Sequence, residues 1–302
     1  MEKPFFCSEY TRELGTPLAG SIKPFEYLFM LEYGNTFGED PIGEADMPIA
    51  VKEHLQLQIR LITQTKGRAR LLLIRNQQTT EEGEKSLFVL RNHPTKPFVR
   101  RYTIESYKQL LRSPMEHLID EDGGEKVDYP MYLVCTNGRK DKCCAKYGFP
   151  LYRKLYSEVD EPEKAVWQSS HVGGHRFAAN VVTLPNGVYY GQVELEDTTN
   201  LIQMTSSGLV WVDKMRGRSS LPQMAQVGEY HLRKQHPALR KEDFEMGAII
   251  QDNEEGVSYR AKFGPKHVII SLKKTMVLQG GSCASPEPKE GEILELVNIQ
   301  NL

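Results

Sequence analysis

The segment from Met131 to Val193 constrains the chain more tightly than any other. It sets a short apolar run, Met131–Val134, directly before Cys135, and a helix-like stretch, Asp141–Ser157, that opens on the vicinal pair Cys143–Cys144. That helix must bend where Pro150 interrupts it. A second apolar run, Val166–Ser169, leads into His171-Val172-Gly173-Gly174-His175. Val181–Leu184 and Val188–Val193 then flank Pro185-Asn186-Gly187, and Asn-Gly between apolar runs is the strongest short hairpin signal. Strand, loop, helix, strand, loop and hairpin in this order specify an α/β layer.

The residue types in that frame point to a metal centre. Cys135 ends a strand, where a side chain can project out of a sheet. Cys144 starts a helix, whose free N–H groups and positive dipole end favour a thiolate. His171 and His175 would share one face of a helix, but two adjacent glycines disfavour helix and no glutamate follows His171. The spacing predicts a tight loop instead, in which glycine permits positive φ and both imidazoles reach one metal-bearing cofactor.

Zinc sites usually pair their cysteines about two to four residues apart, whereas eight residues separate Cys135 from Cys144. The alternative is a [2Fe–2S] cluster with the cysteines on one iron and the histidines on the other. Replacing two thiolates by neutral imidazoles moves the oxidised centre from a formal charge of about −2 to about 0, which eases uptake of an electron. Spacing alone leaves the cluster and Zn2+ both open.

Composition narrows the rest. A length of 302 residues suggests about two domains. A net charge of −2 and a pI near 6.5 give no bulk reason to expect nucleic-acid or membrane binding. The basic clusters Lys96–Arg101 and Lys214–Arg218 have acidic neighbours and read as solvated faces. MEKPFFCSEY lacks a signal-peptide layout and the apolar windows are too short to span a bilayer, so a soluble, reducing, cytoplasmic setting is expected. Five cysteines are too few and too unevenly spaced for a disulfide framework.

Three segments are expected. Residues 1–127 form an α/β region with a strand at Phe25–Glu32, a helix at Pro48–Thr63, β-rich runs at Arg70–Arg75 and Leu87–Leu90, and a short helix at Ile104–Arg112. Residues 128–238 form the core domain, which closes with helices at Asp197–Ser206 and at Ser220–Lys234, the latter capped by Ser220. Residues 239–302 form a small antiparallel meander, with Gln279–Gly291 as a mobile surface loop in which Cys283 is incidental.

The frame Cys-x5-Asp-x2-Cys (Cys135, Asp141, Cys144), the motif HVGGHRFA (His171–Ala178) and the Leu-Pro-Asn-Gly hairpin resemble the sucrase/ferredoxin-like family. Cys7–Glu32 and Met215–Arg233 resemble its flanking segments, so the likeness runs from about residue 5 to 235. The resemblance implies a thioredoxin-like core with a mixed sheet and flanking helices. It also implies a [2Fe–2S] cluster, rather than Zn2+, on Cys135, Cys144, His171 and His175. Alignment on Asp141 selects Cys144, with Cys143 as its substitute. Cys7 matches a cysteine position of the family and reads as structural.

The function expected is electron transfer or redox sensing with a partner protein. The competing readings are a zinc-stabilised binding module and a thiol-based oxidoreductase using Cys143 and Cys144, although thioredoxin chemistry prefers Cys-x-x-Cys. No nucleophile–base set emerges around Ser169, Ser170 and His171, no acid pair suits a glycosidase, and no nucleotide signature is visible, so a carrier is expected more than a catalyst. Arg139, Lys140, Lys142 and Arg176 form either a solvated rim or a positive collar. Trp167, Phe177 and Tyr147 form a dry shell.

Overall fold

The computed structural model describes residues 4–112, 114–120, 122–236 and 240–302. Helix α1 (Cys7–Glu13) precedes strand β1 (Tyr27–Glu32). In β1, period-two alternation sends Leu28 and Met30 into one apolar cluster and Phe29 and Leu31 into another, and all four are fully buried. A strand of that kind must be covered on both faces. Helix α2 (Ile49–Thr65) covers one with Val51, Leu55 and Ile62.

The chain continues through β2 (Ala69–Arg75), β3 (Lys85–Arg91), β4 (Phe98–Ile104), β5 (Glu125–Val127) and β6 (Met131–Cys135). Helices α3 (Lys142–Glu158) and α4 (Pro162–Ala165) lead to β7 (Val166–Ser169) and the hairpin β8 (Val181–Leu184) with β9 (Val188–Tyr190). Helix α5 (Thr198–Ser206), β10 (Met215–Arg218) and α6 (Gln223–Gln235) follow. These strands make one ten-stranded sheet in the order β10-β9-β8-β6-β7-β2-β1-β3-β4-β5. The β1–β2 and β6–β7 pairs are parallel and the others antiparallel, so the sheet is mixed. Ile74 pairs with Ser169 across β2 and β7, which carries the sheet unbroken past residue 127.

Strands β11 (Phe244–Asp252), β12 (Gly256–Phe263), β13 (Lys266–Gln279) and β14 (Lys289–Asn301) make a second, antiparallel meander. Helix α6 packs Ala225, Val227 and Leu232 against Phe244, Tyr259 and Ile270 of that sheet. At roughly 1.5–3 kcal/mol per buried large apolar side chain, this contact is ample to hold it in place. The expected boundary between residues 238 and 239 falls outside the described residues.

Several expectations are corrected. The cluster Lys214–Arg218 is no solvated face: Arg216 and Arg218 are 1 % and 0 % exposed. Arg218 donates to Glu229 at 2.8 Å, and Arg233 donates to the same carboxylate at 2.9 Å, so one buried carboxylate serves two buried guanidiniums, while Arg216 bonds neutral oxygens of Gly173 and Asn180. Lys96–Arg101 keeps part of its solvated face, with Lys96 exposed, while Arg100 and Arg101 of β4 are half-buried and lie over the rings of Phe98 and Phe88. Ile104 ends β4, and only Tyr107–Arg112 coils, as a 3-10 turn. Helix α6 takes Pro222, not Ser220, as its N-terminal boundary. Pairing of β13 with β14 persists to Gln279 and Lys289, which shortens the expected loop to residues 280–288. Among the described residues no helix is long and apolar enough to cross a membrane.

Candidate metal centre

Strand β6 delivers Cys135 at its end, fully buried, with its N–H bonded to Asn180 O at 3.1 Å. The chain then turns through Asn137, whose Nδ2 donates to Gly38 O at 2.9 Å. Asp141 caps α3 by accepting from Cys143 N at 2.9 Å. The first turn of α3 then buries both Cys143 and Cys144. Helix α3 can approach β6 only because residue 148 is glycine: a Cβ there would sit 2.0 Å from the carbonyl oxygen of Cys135.

The HVGGH segment is the tight loop its glycines predict, with φ of +99° at Gly173 and +73° at Gly174. Three side chains from elsewhere fix its carbonyls. Arg216 of β10 donates to Gly173 O at 2.9 Å and to Asn180 Oδ1 at 2.8 Å. Asn180 Nδ2 donates to Gly174 O at 2.9 Å, and Arg70 of β2 to Val172 O at 3.1 Å. A backbone so held presents its imidazoles in one orientation.

Cys135, Cys144 and His171 converge, with their donor atoms within 4.8 Å of one another. His171 Nδ1 is 3.9 Å from Cys135 Sγ and 3.8 Å from Cys144 Sγ. The ring of His175 lies 5.6 Å from that of His171, centroid to centroid. Its Nδ1 faces the other way, 3.3 Å from Asp141 Oδ2 and 3.3 Å from Cys7 Sγ. A metal-bound histidine commonly gives its second nitrogen to a carboxylate; Asp141 beside Nδ1 favours the tautomer protonated there and leaves Nε2 unprotonated. Two thiols, one imidazole beside them and a second imidazole held by a carboxylate fit the donor set of a Cys2His2 [2Fe–2S] centre.

Electrostatics agree with ligand chemistry. Hydrogen bonding from the Cys144 thiol, aided by His171, pulls the Cys135 thiol well below its usual range against the opposing effect of burial. The Cys144 thiol is pushed up by that same hydrogen bond and by burial, so the pair shares one proton. Burial lowers His175, keeping its imidazole neutral, which is the ligating form.

Cys143 stands apart from this group. Its sulfur lies 3.6 Å from Cys7 Sγ and 3.3 Å from Cys283 Sγ, and the Cys283 N–H donates to Asp141 Oδ2 at 3.0 Å. The 280–288 loop thus carries Cys283 into contact with Cys7, Cys143 and Asp141. No spacing signals this meeting, because Cys7 and Cys283 are separated by almost the whole chain. Trp167 and Phe177 are buried, whereas Tyr147 is half-buried and bonds Glu9. Arg139 and Lys140 pair with Glu44 and Glu39 at 3.5 and 3.6 Å, so that part of the rim is charge-balanced. Arg176 is drawn in over the Phe177 ring, at 5.0 Å.

The sucrase/ferredoxin-like family model matches residues 18–217. Altered inheritance of mitochondria protein 32 of Meyerozyma guilliermondii is 28% identical over 139 residues, covering 40% of this chain and 49% of that protein. The chain therefore spans about half the length of this relative. A thioredoxin-like [2Fe–2S] ferredoxin from Aquifex aeolicus aligns over 97% of its own length and 32% of this chain, at 17% identity and a TM-score of only 0.29. Because the family match spans more than half of the 302 residues, this chain belongs to the sucrase/ferredoxin-like family.

Proposed function

We propose that this protein is a one-electron carrier or redox sensor that holds one [2Fe–2S] cluster on Cys135, Cys144, His171 and His175. The observation that carries this reading is the approach of two buried sulfurs, at 3.9 and 3.8 Å, to the same nitrogen of His171. When bound, such a cluster supplies reversible uptake of one electron. Strand β6 and helix α3 hold the thiolates on the buried side. The HVGGH loop holds the imidazoles on the half-exposed side, with the His175 side chain 26% exposed. An imidazole ligand that keeps an outer N–H can exchange that proton, which ties potential to pH.

The same half-exposed side suits a redox partner protein. Clefts of about 520 and 490 Å3 flank the loop, one lined by residues of both charges (Glu39, Asp40 and Glu44 with Arg70 and Lys140) beside His171, the other by the basic residues Arg68, Arg70, Arg176 and Arg216. Five free thiols suit a reducing compartment, the cytoplasm or, given the name of the yeast relative, a mitochondrial one. The diverging sulfurs of Cys143 and Cys144 speak against a vicinal dithiol oxidoreductase.

The test is the visible spectrum with iron and acid-labile sulfide content of anaerobically purified protein. About two iron and two sulfide per chain, with colour bleached by dithionite, are expected. A colourless, iron-free protein carrying zinc on these residues would instead make it a zinc-stabilised binding module.

A further inference from the structure

Three sulfurs and a carboxylate outside the proposed cluster meet at a second point. Cys7 comes from α1, Asp141 and Cys143 from the start of α3, and Cys283 from the 280–288 loop of the second sheet. The pairs Cys7–Cys143, Cys143–Cys283 and Cys283–Cys7 have Sγ–Sγ separations of 3.6, 3.3 and 3.7 Å. Thiolates bound to one zinc at about 2.3 Å in a tetrahedron lie roughly 3.8 Å from each other. Both oxygens of Asp141 are 3.6 Å from Cys7 Sγ, close to the roughly 3.5 Å between sulfur and oxygen corners of the same tetrahedron. Cys7, Cys143 and Asp141 are buried, and Cys283 is half-buried.

We propose that Cys7, Cys143, Cys283 and Asp141 form a second metal site that binds a single Zn2+. Two of its sulfurs, Cys7 and Cys283, lie outside the residues matched by the family model. Zinc fits the donor set: three soft thiolates and one carboxylate make a closed four-coordinate shell with no open position, the mark of a structural site. Any thiol still protonated gives its proton to solvent as the metal enters, and no electron moves.

The surroundings are already arranged for it. Asp141 is aimed by backbone N–H groups of Cys143 and Cys283, at 2.9 and 3.0 Å. The Cys7 N–H approaches Cys283 Sγ at 3.5 Å. Cys143 sits in the first turn of a 17-residue helix, where free N–H groups favour a thiolate. The ion would fasten helix α1, the start of helix α3 and the meander loop at one point. Asp141 also touches His175, so this site borders the proposed cluster through a shared carboxylate.

The experiment is zinc content and zinc X-ray absorption of the full chain, purified anaerobically under thiol-reducing conditions, with three single variants. About one zinc per chain, in a shell dominated by sulfur near 2.3 Å, is expected for the wild type. Cys135→Ala should keep that zinc while losing iron. Cys7→Ser and Cys283→Ser should lose it while keeping the visible spectrum, which shows that they fold. Cobalt added to the zinc-free wild type should give thiolate charge-transfer bands, a readout free of any folding defect in a variant. A wild type that takes up neither zinc nor cobalt at this site, zinc retained by Cys283→Ser, or zinc lost with Cys135→Ala would each overturn the assignment.

Discussion

Cys143 and Cys144 are adjacent in the chain, yet their sulfurs keep different company. Cys144 Sγ lies 3.8 Å from His171 Nδ1, whereas Cys143 Sγ lies 3.3 Å from Cys283 Sγ. The cause is the helix that carries both: successive residues are turned by about 100°, so vicinal side chains leave on different faces. Cys144→Ser should therefore abolish iron binding and colour, while Cys143→Ser leaves the visible spectrum intact. Iron content and absorbance of the two purified variants check this, and loss of colour in Cys143→Ser alone would reverse the assignment.

His171→Cys should leave a coloured protein with a lower midpoint potential. The added thiolate charge makes electron uptake harder, by on the order of hundreds of millivolts between mixed and all-cysteine centres. Removing an imidazole ligand should also weaken the dependence of potential on pH. A redox titration at several pH values reads both effects, and an unchanged potential would exclude His171 as a ligand.

Gly148→Ala should destabilise the fold although alanine is the better helix former, by about 1 kcal/mol. The added methyl would lie 2.0 Å from the Cys135 carbonyl oxygen, backbone that cannot rotate away. Overpacking of this kind costs about 1–3 kcal/mol, and here it pushes α3 off the strand that presents Cys135. Urea unfolding and iron retention after gel filtration should both report the loss.

Glu229→Gln should cost about 3–5 kcal/mol, because it leaves the buried Arg218 and Arg233 without their shared carboxylate. Burial raises the carboxyl pKa, yet the two guanidiniums outweigh it and hold the group below its usual 4.5. A depressed folded pKa means that the unfolded chain binds more protons as pH drops. The stabilisation is thus complete above about 4.5 and is lost as pH falls through the lower folded value. Urea unfolding at neutral and acid pH should show the wild type losing more stability in acid than Glu229→Gln, and parallel losses would contradict the pairing.

Much of this was legible in local patterns. Short apolar runs located β1, β6 and β7, and Gly173-Gly174 marked a loop between two histidines. What stayed hidden depends on long-range packing. Arg216 and Arg218 read as solvent-facing because their partners, Gly173, Asn180 and Glu229, are brought to them only by the fold. Cys7 and Cys283 carry no spacing signal, since α1 and the meander loop meet only when both sheets have formed. The length of β13 and β14 was likewise set by mutual pairing, which overrides the polar composition near Lys289.

The most direct test of the Cys2His2 centre is pulsed electron paramagnetic resonance of dithionite-reduced protein with nitrogen-15 histidine. Two strongly coupled nitrogens are expected, one lost in His171→Ala and the other in His175→Ala. A reduced cluster without nitrogen coupling, or one that keeps both couplings when His175 is removed, would contradict ligation by this histidine pair.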